Sequence, residues 1–170
     1  MFLILKGRLD TLDAMNKHSI PLTRIIHENI SIVLMYAFSK SPLEKLRGSF
    51  LGEWKFLDKA IVGLSKERAE KAAIELAVFI RLLDDKQGIS GYLAQTKGDS
   101  YGTVYKSDLP NEPLYLRDLT NKIMHAKSFA WDVSDHSKPL LVVYSHDLNR
   151  WSYAEINLVA LLSFCGSIAS

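Results

Sequence analysis

Cysteine is almost missing from this chain: Cys165 is the only one in 170 residues. A single thiol closes no internal disulfide, and a structural zinc site built from several cysteines is excluded. An excess of one charge is also missing. The 21 Lys and Arg stand against 19 Asp and Glu, a formal +2, so no long-range field selects nucleic acid or anionic lipid by itself. Local basic patches remain open. Long apolar runs are absent too. The stretches 2–5, 30–38 and 156–169 all fall short of the roughly 20 residues that span a bilayer. The first is also shorter than the apolar run of about 7–15 residues in a secretory signal. The expectation is a cytoplasmic protein with no membrane partner. There is no internal repeat, no Gly-x-Ser-x-Gly turn, and no Gly-Lys-Ser after the short Gly88-Ile89-Ser90-Gly91 stretch.

What is present is globular: 48% hydrophobic and 24% charged residues. At about 150 residues per domain, the 170 residues give a prior of one domain. Apolar spacing predicts a short helix over 11–17 and a strong one over 22–39, with Arg24, His27, Glu28 and Ser31 on its polar side. Ser41-Pro42 opens a further short helix that ends before Gly48. The segment 50–63 is aromatic-rich and ambiguous. Ser65 is read as the cap of the clearest helix, in which Ala69, Ala72, Ala73, Leu76, Ile80 and Leu83 recur at helical spacing. Turn residues mark 97–113 as a loop, with a short strand near Tyr101, Val104 and Tyr105. Helical periodicity returns over 114–130. The run Pro139 to Tyr144 and the segment from Trp151 to Ile156 then read as a hairpin. The fold class is therefore mainly α within an α+β class. It is a single-domain helical bundle over 1–170 with a C-terminal β-hairpin: helical 1–96, loop 97–113, helix 114–130, hairpin and tail 138–170.

The most informative segment is the helix at 114–130. At 100° per residue, Leu116, Leu119, Ile123 and Ala126 form a narrow apolar stripe, and Ala130 continues it. Arg117, Asn121 and His125 are four apart and fall together on nearly the opposite side. Arg117 offers a fork of donors for phosphate, His125 can trade a proton near neutral pH, and Asn121 can orient a ligand or the imidazole. Lys122 and Lys127 add positive charge for a nucleic acid. Together these are candidate catalytic and binding groups for a phosphodiester. The other reading of the stripe is a solvated face, as any amphipathic helix has. Asn and His are weaker helix formers than the Glu, Lys and Gln that usually fill such a face, which keeps the first reading open. Of the remaining histidines, His136 and His146 lie near Asp132, Asp135 and Asp147, but their spacing matches no metal-ligand pattern. No metal or other cofactor is expected. The aromatic residues Trp54, Phe56, Tyr92, Tyr101 and Tyr105 are expected to pack in a core or interface, because basic residues are not interleaved with them.

The Arg117, Asn121-Lys122-Ile123 and His125-Ala126 pattern is similar to that of a group of small, uncharacterised bacterial proteins. The likeness extends to Pro139-Leu140-Leu141-Val142, Trp151 and Ala154-Glu155-Ile156 near the C-terminus. More distantly, an Arg and a His on one helix resemble the HEPN superfamily of helical RNA-cutting and nucleotide-binding domains. In those domains about four to six residues separate the pair; here seven lie between Arg117 and His125. The resemblance implies a bacterial intracellular protein that binds or cuts RNA or a nucleotide, as a homodimer, in stress or phage defence. The alternative is a non-catalytic dimerisation or protein-interaction module.

Overall fold

In a computed structural model, residues 22–95, 100–107 and 109–169 are described, except the side chains of Glu53, Trp54 and Gln95. The expected helix over 11–17, His18 and the packing of Trp54 lie outside this set.

The first described element, α1 (Leu22–Arg47), runs through Pro42 without a break. The expected division into two helices at Ser41-Pro42 is thus corrected. Proline there removes one backbone hydrogen bond, and the burial of Ile26, Val33, Tyr36 and Ala37 holds the rest of the helix. After a tight 3-10 turn (Gly52–Phe56) the chain enters a wider π-helical turn (Asp58–Gly63) that feeds directly into α2 (Leu64–Gln87). Because Gly63 is already helical, Ser65 is not the cap that the sequence suggested. At the other end, Gly88 takes a left-handed conformation, φ 65° and ψ 34°, and its N–H closes onto Asp84. The short α3 (Ile89–Gln95) follows.

The rest of the chain contributes a sheet and two further helices: β1 (Gly102–Tyr105), β2 (Glu112–Pro113), α4 (Leu116–Met124), β3 (Ser128–Asp132), β4 (Leu140–Tyr144), β5 (Tyr153–Asn157) and α5 (Leu158–Ile168). The strands form one antiparallel sheet in the order β2-β1-β5-β4-β3. The expected hairpin is therefore its β4–β5 pair, widened on both sides. Two expectations are corrected with it. The helix read over 114–130 stops at Met124, and residues 128–132 pair with β4 instead. The loop read over 97–113 carries two strands, the first at the expected place.

Alternation builds the inner face of the sheet. Val104, Leu141, Val143, Ala154 and Ile156 are all buried, as every second residue of a half-covered strand should be. Their partners are Ile26 and Val33 of α1, the small Ala69, Ala72, Ala73 and Ala77 of α2, Leu116, Leu119 and Ile123 of α4, and Leu158 and Leu161 of α5. Alanine on α2 lets α1 approach closely. Asn157 caps α5, its side-chain oxygen accepting from the Ala160 N–H at 3.0 Å. The tail at 156–169 is thus the end of a core strand followed by a core helix. Among the described residues, no helix is long and apolar enough to cross a membrane.

Candidate functional site

The α4 helix is amphipathic as expected, with Leu116, Leu119 and Ile123 inward, but the three polar residues opposite have different surroundings. Arg117 meets α2. Its Nη1 donates to Asp84 Oδ2 at 3.0 Å and to Asp85 Oδ1 at 3.1 Å. Asn121 meets α2 as well, its Oδ1 accepting from Arg81 Nη1 at 2.8 Å. Arg81 in turn holds Asp85 at 3.2 Å. His125 sits one residue beyond the helix, with φ −108° and ψ 19°, and is exposed.

Asp84 anchors this network. Burial alone would raise its carboxyl. The backbone N–H of Ser90, the Ser90 hydroxyl and the Arg117 guanidinium together outweigh that and hold it below the usual carboxylate range. Arg117 therefore joins α4 to α2 and does not line the cleft described next.

That cleft, about 880 Å³ in volume, opens between β1, β2, the end of α4 and the β4–β5 turn. Asn121, Lys122 and His125 line it from α4, and His146, Arg150 and Trp151 from the turn. The turn is braced by its own polar groups. The Ser145 hydroxyl donates to the Asp147 carbonyl at 3.0 Å, the Asp147 carboxylate accepts from the Asn149 N–H at 3.1 Å, and the Ser145 N–H reaches Ser152. This fixes the backbone from which His146 and Arg150 project. The Lys122 ammonium lies 4.4 Å from the centroid of the buried Trp151 ring. Burial pushes Lys122 below the ordinary lysine range, and the charges of Lys106 and Arg150 add to that, against Asp118 and Glu112. Lys106 is paired with Glu112 at 2.6 Å. Among the described residues, the side chains of His125, His146 and Arg150 have no hydrogen bond or ion pair.

With neutral histidines the cleft is balanced: Lys106, Lys122 and Arg150 against Glu112, Asp118 and Asp147. Each imidazolium would add one positive charge. Of the residues singled out from sequence, the cleft gathers Asn121, Lys122 and His125, while Arg117 and Lys127 stand outside its lining. His27 is exposed on α1, and His136 lies in the exposed β3–β4 loop. Sequence reasoning missed Arg150 and the role of His146 as a cleft residue. Its one available signal was the turn composition around His146-Asp147, which marks a loop and not what the loop faces. No family model matches the chain, and no curated protein or solved structure is significantly similar to it.

Proposed function

We propose that the cleft binds a phosphodiester of an RNA strand and that His125 and His146 move protons there. The observation that carries this reading is the convergence of two unpaired histidines, Arg150 and the half-buried Lys122 on one cleft. The RNA chemistry implied by the HEPN resemblance is kept, but the phosphate-holding part passes from Arg117 to Lys122 and Arg150. Asn121, its oxygen held by Arg81, orients the strand through its amide nitrogen. In cleavage, His125 takes the proton of a ribose 2′-hydroxyl. The 2′-oxygen bonds to phosphorus, the bond to the 5′-oxygen breaks, and His146 gives that oxygen a proton.

The test uses labelled single-stranded RNA at several salt concentrations. Binding should weaken steeply with salt, and Arg150→Ala should lower the slope of log affinity against log salt by about one. His125→Ala should abolish cleavage and leave the melting temperature nearly unchanged. An unaltered protein that binds no RNA at low salt ends this reading; a fully active His125→Ala ends the proton-transfer part.

The interaction-module reading has its own observation. Ile74, Val78 and Leu82 stand four apart on the outer side of α2 and are exposed. A second copy covering that stripe would be split by Val78→Glu, read as a halved mass in light scattering.

A further inference from the structure

A second cavity, about 590 Å³ in volume, lies where the later half of α1, the π-helical turn and β3 meet. That size falls in the range of pockets that take small molecules. Two of the side chains that line it are polar and sunk almost wholly in the protein: Tyr36 and Trp131 are each 5% exposed. Their rings meet edge to face, with centroids 5.0 Å apart and planes 75° apart, so each ring holds the other in place. The Trp131 indole N–H is buried without a hydrogen-bond partner. Among the described residues, the Tyr36 hydroxyl has none either. A buried donor without an acceptor is costly and uncommon, and two of them on one cavity point to a ligand that supplies the acceptor.

The charges around this cavity favour an anion. Glu44 is paired with Lys40 at 3.3 Å, Asp58 with Arg47 at 2.9 Å, and Glu70 with Lys66 at 2.7 Å. Lys59, carried to the cavity by the π-helical turn, is the cation left over, with no ion pair among the described residues. Burial, with the charges of Glu44 and Glu70 adding to it, pushes the Tyr36 phenol up to about 12, so it stays a protonated donor near neutral pH. The rest of the wall is apolar, built of Val62, Phe129 and Ala130.

We propose that this cavity binds a small organic oxyanion, a carboxylate or a phosphate monoester, with an apolar body. The head accepts from the Tyr36 hydroxyl and the Trp131 N–H, Lys59 balances its charge, and the body lies against Phe129 and Val62. A charged oxyanion head offers acceptors to both donors at once, and hydrogen bonds to a charged partner are the strong ones. The cavity shares no lining residue with the phosphodiester cleft and does not depend on it.

The experiment follows the Trp131 indole N–H by NMR in the isotope-labelled full chain, its signal identified by its loss in Trp131→Phe. Benzoate, phenyl phosphate and benzylammonium, which share a ring and differ in the head, are titrated in turn. Benzoate or phenyl phosphate should shift that signal saturably, and the tighter of the two names the head; benzylammonium should not shift it. Tyr36→Phe should weaken the binding roughly ten-fold, and Lys59→Gln about three-fold. Neither change removes a bonded group, so unchanged melting temperatures are expected and check that the variants fold. The proposal is overturned by an equal shift with benzylammonium, by full affinity in either variant, or by no saturable shift with either anion, in which case an ordered water is the acceptor.

Discussion

Arg117 is 51% exposed along its side chain, yet the carboxylate it meets on Asp84 is only 2% exposed. The buried partner sets the consequence. Removing the guanidinium leaves Asp84 with its two Ser90 bonds and a less compensated charge. Arg117→Ala should therefore cost about 1–2 kcal/mol in urea unfolding, below the roughly 3–5 kcal/mol of a fully buried pair. A folded-state carboxyl held below its unfolded value of about 3.9 contributes stability that is complete above that value and is lost as pH falls through the folded one. The urea midpoint of the parent should hold from about pH 7 to 5 and drop below about pH 4. Asp84→Asn should start lower and drop less. A variant whose acid loss matches the parent's would show that Asp84 contributes nothing to it. Of the three residues that the helical wheel set together, Arg117 and Asn121 lie on α4 and both meet α2, while His125 falls one residue past the helix end. What the wheel could not supply was their partners: Asp84, Asp85 and Arg81 lie over thirty residues upstream, and only the packing of α2 on α4 brings them near.

Elements with one dominant period were the most legible. The alanine-rich repeat of α2 and the inward stripe of α4 were both readable, because burial demands the same residues wherever the helix packs. The segment after Met124 was not. Ala126 and Ala130 sit at helical spacing, but Phe129 and Trp131 also alternate as a strand does, and a short run satisfies both periods. Pairing with β4 decided the matter, and that pairing is invisible locally. Tyr105 stacks on Tyr153 on the outer face of the sheet, a facing that depends on register with β5 and could not be read locally. Register is enforced most sharply at Gly102. A Cβ there would lie 1.9 Å from the Glu155 carbonyl oxygen, and a backbone atom in a paired strand cannot give way. Gly102→Ala should cost about 3 kcal/mol or more and free the β1 amides to hydrogen exchange. Retained protection in that strand would mean that β1 pairs differently.

Across the whole molecule, the described apolar interior is one connected cluster that reaches from Ile26 on α1 to Ile168 on α5. Cys165 lies within it, fully buried, and burial pushes its thiol up to about 12. The thiolate is the reactive form, so a thiol reagent should find Cys165 inert in the native protein and modify it only at the rate of unfolding. Rapid stoichiometric labelling without denaturant would contradict this packing.

In sheet order the middle strand, β5, follows the other four in the chain. On the ribosome, the β1–β2 and β3–β4 halves must wait with unsatisfied inner edges until this keystone emerges. Such edges are templates for pairing with foreign chains. A nascent chain stalled before residue 153 therefore has reason to be a chaperone client, and the finished one does not.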